Sequence, residues 1–397
     1  MRHVKLPELL IEVDNDLHFT CHFMLPVKHN QRLVEDICSI LATIMAHGCF
    51  IGTYTMARLT SGISYEQIKR VTDWQLTEGA QRSSLAEIVK AISDLDVTQS
   101  WGYGKTSSSD GQRYEFKQKV LNQTYSTKFG DFALEFYTFV ADNYAPFYST
   151  PIECTDRDAA YVLDGLLYNE SDLAIEEHYT DTHGYTEINF AAFALLGRTF
   201  SPRIRGVQHQ KIYRIDEKKD YASLKPLLSS SDHKIHIEWI TGQWDRMGQF
   251  YASIERGHAT ASVALKRLVS FNNKNHFYRA NRELGGLLKL RIFYYMSDPL
   301  LRKKRRRGLL KGEQIHQLAR EVAYGKRGKI KARDFQEQKN TCSCLTLILA
   351  CIIYWQAKEI KCVIDECNPK AEKINLKLLE HISLSDGIMY CYTDSTS

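Results

Sequence analysis

The chain holds 47 acidic residues, so composition alone cannot choose a reactive set, but context narrows it. Asp110 lies in Thr106-Ser-Ser-Ser-Asp-Gly-Gln-Arg113, where a segment rich in strand formers begins. Asp181 lies in His178-Tyr-Thr-Asp-Thr-His-Gly-Tyr185, directly after a short strand pattern. Each is a carboxylate beside glycine at a strand end, where a rigid sheet can present it to a ligand. The same residue type also caps turns by accepting from nearby amides, and by spacing alone that is its commoner use. Glu313 belongs to a helical pattern from about Leu310 to Tyr324, stopped by Gly325. Ile315, Leu318, Ala319 and Val322 share one face of that helix, and Glu313, His316, Gln317 and Arg320 share another. The first stripe is core. The second sets a carboxylate beside a cation and two hydrogen-bonding groups, or else is a solvated face whose Glu313 steadies the positive helix start.

Charge is distributed unevenly around Glu313. The whole chain carries 52 Lys and Arg against 47 Asp and Glu, a mild +5. Between Arg302 and Arg333, however, 13 basic residues meet 2 acidic ones, a local +11, which leaves 39 basic and 45 acidic residues, or −6, elsewhere. The band comprises Arg302, Lys303, Lys304, Arg305, Arg306, Arg307 and Lys311, then Arg320, Lys326, Arg327, Lys329, Lys331 and Arg333. A mildly acidic body with one intensely basic band suits a polyanionic partner; a solvated charge run is the plainer alternative.

The elements that must hold these residues follow from periodicity. Residues 1 to about 100 read as a helical region. Leu33, Ile37, Leu41 and Ile44 keep helical spacing before Gly48, and Ser64 with Gln67 and Ser84 with Glu87 have capping-box spacing. Trp74 and Trp101 are expected packing residues. From Thr106 the pattern turns to strands. Val120–Phe129 and Asp131–Ala141 form an expected antiparallel hairpin about Gly130-Asp131, the second strand apolar on both faces and therefore covered on both. A helix (Arg157–Leu167), a strand (Ala174–Thr180), a helix (Thr186–Leu196, stopped by Gly197) and a strand at Phe200–Ile204 come next. Hairpin first, then alternation, predicts an α/β protein with a mixed sheet and helices on both sides. About 210–300 is helical again, with Gln243–Arg256 ended by Gly257 and a run from Phe277 to Met296; Ser229-Ser230-Ser231 is an expected loop.

At 397 residues, 44% hydrophobic and 25% charged, the chain is neither a disordered tail, a collagen-like rod nor a membrane bundle. Its ten cysteines are too sparse for a disulfide scaffold, and Met1-Arg-His-Val-Lys-Leu-Pro lacks the long apolar core of a signal peptide. Cys342, Cys344 and Cys351 have no CxxC pair and no nearby His, so buried thiols are expected there rather than a zinc site. The apolar run Leu345–Trp355 is about half a membrane span. A cytoplasmic, reducing setting without a membrane span is the expectation.

Four stretches together resemble the catalytic domain of the transposon-three (Tn3) family of replicative DDE transposases. They are SSSDGQR (Ser107–Arg113), EHYTDTHGYTE (Glu177–Glu187), LLGRTFSPRIR (Leu195–Arg205) and LLKGEQIHQLAREVAYG (Leu309–Gly325). The likeness begins near Leu6–Val13, passes through Trp101-Gly102, Trp244-Asp245-Arg246 and Glu283-Leu284-Gly285, and reaches Ile352–Trp355 and Glu380-His381-Ile382. It implies a ribonuclease-H-like sheet in residues 101–397, with 210–300 a mainly helical insertion, 301–397 a helical part carrying Glu313, and 1–100 a preceding helical region. It implies that Asp110, Asp181 and Glu313 are the catalytic, metal-holding triad, with Asp110 shared between two Mg²⁺ ions and Mn²⁺ a substitute. Two such ions about 3.5–4 Å apart activate the attacking oxygen and stabilise the leaving one. The implied reaction is hydrolytic nicking at transposon 3′ ends, then attack of the freed hydroxyl on target DNA, by a homodimer. Arg113, the cations Arg302–Arg307, Lys311 and Arg320 are then expected to hold DNA phosphates.

The chain departs from the family pattern at Tyr103 and Glu187, where Asp is usual, and at Leu310 and Gln356, where Asn is usual. Tyr103 and Leu310 are expected near the site, where they bear on substrate positioning. The family's long N-terminal part, which recognises terminal inverted repeats, has no counterpart here, so weak end-specific binding is expected. The alternative to an active enzyme is a catalytically silent DNA-binding remnant that interferes with an intact transposase.

Overall fold

The protein is described from a computed structural model that covers residues 4–24, 33–116, 124–126, 131–206, 213, 234–271, 274–292, 298–323, 328–332, 334–367 and 376–384. The expected Gly130 turn, the Ser229–Ser231 loop, the Gly325 stop and the cations Lys326, Arg327 and Arg333 lie outside them, as does most of Val120–Phe129.

Residues up to about 100 fold as helices, as their periodicity predicts: α1 (Leu6–Leu17), α2 (Val34–Gly48), α3 (Thr53–Leu59), α4 (Tyr65–Arg70) and α5 (Glu78–Asp94). Ser64 and Gln67 form the predicted reciprocal cap of α4. Ser84 does not begin a helix. It sits inside α5, which Thr77 caps, and its buried hydroxyl donates to the Phe19 carbonyl at 3.2 Å. Trp101 is buried as expected, with Nε1 donating to the Ile382 carbonyl at 2.7 Å, whereas Trp74 is 72% exposed.

The sheet contains β1 (Thr106–Glu115), β2 (Thr124–Ser126), β3 (Asp131–Ala141), β4 (Pro146–Glu153), β5 (Glu177–Thr180) and β6 (Thr199–Phe200). Its order is β2-β3-β1-β5-β6, with β4 also on β3. β3 runs antiparallel to β1, β2 and β4, while β1–β5 and β5–β6 are parallel. β3 coincides with the predicted strand, and from Ala133 to Ala141 it is buried on both faces.

Helices α6 (Asp164–Tyr168) and α7 (Glu187–Leu195) interrupt the later strands. Thr186 caps α7, and Gly197 adopts φ +70° just beyond it, matching its predicted stop. The predicted helix Arg157–Leu167 is instead a 3₁₀ turn, Asp158–Ala160, followed by the short α6. Side-chain demands break it: Tyr161 donates to Asp156 at 2.5 Å, Asp164 accepts from the Ser262 amide at 2.9 Å, and Asp158 turns inward.

Beyond the sheet lie α8 (Ile237–Thr241), α9 (Trp244–Glu255), α10 (Ala261–Ser270) and α11 (His276–Leu288). α12 spans Pro299–Val322 and α13 Phe335–Cys367. The basic band therefore does not precede a helix. Its first run, Arg302 to Lys311, is the first half of α12, started by Pro299 and by Asp298, whose carboxylate accepts from the Leu300 and Leu301 amides. Arg and Lys are good helix formers, and nothing in the band breaks the helix before Glu313. Cys342, Cys344 and Cys351 are buried free thiols on α13. Among the described residues no helix is long and apolar enough to cross a membrane. One hydrophobic core runs from Leu6 on α1 through the sheet to α13, so the first helices and the sheet pack as one body.

Candidate active site

Strand alternation sorts the residues around Asp110. Ser107 and Ser109 point to one face, where their hydroxyls meet the two ring nitrogens of buried His178 at 2.7 and 2.8 Å. That ring stacks between Phe139 and Phe193, and Ser109 continues to the Tyr137 hydroxyl at 2.7 Å. Burial holds the His178 pKa down at about 3, so the bridge is neutral. It ties β1 to β5, the strands that carry Asp110 and lead into Asp181.

Ser108, between the two, faces α12 and donates to the Gly308 carbonyl at 3.0 Å. Gln112 donates to the His316 carbonyl at 2.9 Å, and Tyr144 to Gln314 at 2.8 Å. These bonds lay α12 over the sheet and bring Glu313 to the wall of an open cleft of about 1260 Å³. Asp110, Asp181, Asp158 and Arg320 line the same cleft. As predicted, Ile315, Leu318, Ala319 and Val322 are core; Glu313, Gln317 and Arg320 are exposed on the other face, but His316, expected beside them, is buried. Glu313 is mid-helix, so it has no positive helix start to steady.

The turn-capping use of the aspartates is also present. Asp110 Oδ1 accepts from the Gly111 amide at 2.9 Å, and Asp181 Oδ1 from His183 at 2.8 Å and Gly184 at 3.2 Å. These bonds orient both carboxylates without occupying all their oxygens. Asp110, Asp158 and Asp181 each bring an oxygen within 4.8 Å of the others; Glu313 stands outside that group.

Burial, then the charge of Asp181, with smaller contributions from Glu135 and Glu313, raises Asp110 to about 7. Asp158 is pushed up by burial and by Glu135, Asp181 and Asp110. Its neighbours are neutralised elsewhere: Glu135 by Arg113 at 2.6 Å, Glu115 by Lys329 at 2.6 Å, and Asp156 by Lys266 at 2.6 Å. His316 Nδ1 lies 3.6 Å from Asp110 Oδ2, but burial holds that imidazole near 4 and hence uncharged. Among the described residues no Lys or Arg pairs with Asp110, Asp158, Asp181 or Glu313. Gathered carboxylates with no basic partner are a donor set that a divalent cation fits.

The basic residues divide. Arg302, Lys303 and Arg306 are exposed on α12. Lys304 pairs with Glu177 at 3.2 Å, Arg305 donates to the Pro202 carbonyl at 3.3 Å, and Arg307 grips Glu380 with both terminal nitrogens. Lys311 turns inward, donating to the carbonyls of Trp101 and Asp142, and burial lowers its pKa to about 8. Arg113 faces Glu135 across β1 and β3. Tyr103 and Leu310, expected near the site, are exposed and do not line the cleft; Leu310 stands one helical turn before Glu313. Sequence reasoning missed Asp158 and Glu135. Glu135 sits in a strand otherwise apolar, which was a usable signal; Asp158 was hidden in a helical pattern.

A mixed sheet thus delivers an unneutralised carboxylate cluster to an open cleft, beneath a helix studded with cations, an arrangement of the kind found in metal-dependent proteins. Residues 8–386 match the Tn3 transposase DDE domain, and the chain belongs to that family. It is 36% identical over 387 residues to the transposase for transposon Tn2501 of Escherichia coli. It is 34% identical over 382 residues to that for Tn1546 of Enterococcus faecium, and 34% over 386 to that for Tn501 of Pseudomonas aeruginosa. Each match covers 96% of this chain and 38% of the relative, so the chain spans well under half the length of the curated relatives it matches. Membership of a DDE family implies divalent-metal use.

Proposed function

We propose that this chain catalyses the phosphoryl transfers of DNA transposition, with Asp110, Asp181 and Glu313 as its metal-holding triad. The observation that carries the reading is the convergence of these three carboxylates, from a strand, the loop that follows another strand and a helix, on one cleft. The order β4-β3-β1-β5-β6, antiparallel then parallel, supports a ribonuclease-H-like core within 101–397. In this reading residues 1–100 buttress the core and about 210–300 form its helical insertion.

When bound, two Mg²⁺ ions, or Mn²⁺ in their place, supply a nucleophile at neutral pH and stabilise the leaving oxygen. The protein's part is to hold its ligands still and position the DNA. The His178 bridge fixes β1 against β5, the Gly111, His183 and Gly184 amides orient two carboxylates, and α12 presents the third. Neutral His316 leaves the Asp110 charge available. Arg320 in the cleft, with Arg302, Lys303 and Arg306 along α12, would hold flanking phosphates. Water first attacks the phosphodiester at the transposon end, releasing a 3′-hydroxyl. That hydroxyl then attacks a target phosphodiester, with no covalent enzyme intermediate. Transposon ends and target DNA are the partners, and the working unit is a homodimer.

The test is nicking of a pre-formed branched DNA in Mg²⁺ or Mn²⁺. The wild type should nick only with metal, and Asp110→Asn should be inactive in either. Persistent full activity of Asp110→Asn would remove the assignment.

A further inference from the structure

We infer that Asp158 is a fourth carboxylate of the metal site, a direct ligand beside Asp110 and Asp181. The inference rests on the reading of the cleft as a metal centre and adds to it a residue outside the triad.

The segment from 156 to 164 carries three aspartates with different fates. Asp156 is an ordinary structural acid, accepting from the Tyr161 hydroxyl at 2.5 Å and pairing with Lys266 at 2.6 Å. Asp164 accepts the Ser262 amide at 2.9 Å and so ties α6 to α10. Asp158 has neither use. It begins a single 3₁₀ turn, a position where an acid would normally face solvent, yet it is only 9% exposed. Its side chain is directed to Glu135 and to the two site aspartates.

Burying a carboxylate among carboxylates is unfavourable unless a proton or a cation joins them; without metal Asp158 shares a hydrogen bond with Glu135, and a cation held with Asp110 and Asp181 would take the proton's place. The Arg113 guanidinium, which interacts electrostatically with Asp158, is committed to Glu135 at 2.6 Å. Asp158 thus lies against a Glu135 whose charge is already matched, and against two aspartates whose charges are not. Glu313, by contrast, remains outside the 4.8 Å group that Asp158 joins.

A dedicated tie holds this arrangement. Buried Asn189, on α7, donates its one amide nitrogen to the Ala159 carbonyl at 2.9 Å and to the Gly184 carbonyl at 3.0 Å. One bond holds the turn that begins at Asp158. The other holds the loop whose amides orient Asp181. Asn189 therefore sets the spacing between the two carboxylates as a positioning residue, and the 3₁₀ turn replaces the helix that the local pattern favours. That replacement is what aims Asp158 inward.

The experiment is Mn²⁺ binding to the DNA-free chain, followed by electron paramagnetic resonance and by the thermal shift that Mn²⁺ produces. Asp158→Asn should weaken Mn²⁺ binding by about 10–100-fold, the range typical of weakened metal-site support. Without metal it should melt no lower than the wild type, because the amide can still donate to Glu135. Asp158→Glu, which keeps a carboxylate, should restore measurable binding. Asn189→Ala should weaken binding by a smaller factor. Unchanged Mn²⁺ affinity in Asp158→Asn, with Asp110→Asn impaired, overturns the inference alone. Unchanged affinity in both variants overturns the reading of the cleft itself. A lower melting temperature with unchanged affinity assigns Asp158 a purely structural role and overturns the inference too.

Discussion

His178 carries the sheet's precision at the scale of one residue. Its two ring nitrogens span Ser107 and Ser109, so one neutral side chain sets β1 against β5. Its folded pKa, about 3, lies well below the ordinary value of 6.5, so folding favours the unprotonated form. The stability this contributes is complete above about pH 6.5 and is lost as pH falls toward 3. His47 and His316, each lowered to about 4 by burial, act in the same direction. In urea unfolding between pH 7 and 4 the raised Asp110 and Asp158 act in the opposite direction, so the His178 contribution is read as a difference between two proteins. The His178→Gln variant should lose less stability with acid than the wild type, by up to about 1.4 kcal/mol per pH unit, the slope of one linked proton. Identical slopes in both proteins would deny His178 that role. Asp110 and Asp181 were legible in the sequence through the family resemblance of their motifs; the expectation that both stand at strand ends holds for Asp181, just beyond β5, but not for Asp110, which lies in the middle of β1. Asp158 was not legible, because only tertiary contacts turn it inward.

At the scale of elements, α12 depends on close approach to the sheet. A Cβ on Gly308 would stand 2.5 Å from the Tyr179 ring, and one on Gly312 would stand 3.1 Å from Ser108 Oγ. Glycine at these two points, a helical turn apart, lets the backbone settle over β1 and β5. Gly308→Ala should cost about 1–3 kcal/mol through overpacking, and it should slow nicking because the displaced helix carries Glu313. Gly312→Ala meets a lone hydroxyl and should be milder; equal, negligible effects on the unfolding midpoint would contradict this packing. The helix itself was only half legible. Six consecutive cations from Arg302 look like a break between elements, yet their helix propensity and the Asp298 cap make one continuous rod. Glu187, a departure from the family's usual Asp, shows another element-scale device. It pairs with Arg282 and Lys289, each at 3.1 Å, fastening α7 to α11 and the residue just beyond it.

Across the whole molecule the +11 band is less free than its sequence suggests. Lys304, Arg305, Arg307 and Lys311 hold α12 onto the protein, and Arg302, Lys303 and Arg306 remain exposed for a partner. Replacing those three by Ala should reduce the salt dependence of DNA binding by about 0.9 in log–log slope for each phosphate they neutralise. Replacing Lys311 should instead lower stability, because its ammonium is buried on two carbonyls. A salt slope unchanged by the triple substitution would place DNA elsewhere. Charge asymmetry was visible in the sequence, but which cations are committed to internal partners depends on chain segments far apart, such as Glu177 and Glu380.

The central claim is that carboxylates from a strand, the loop after another strand and one helix act as a single phosphoryl-transfer site, and Glu313, the member outside the close group, tests it most directly. Nicking of branched DNA should be measured in Mg²⁺ with wild type and Glu313→Gln, alongside the DNA affinity of each. The account predicts that Glu313→Gln binds DNA as the wild type does and fails to nick it. Wild-type nicking by Glu313→Gln would contradict it.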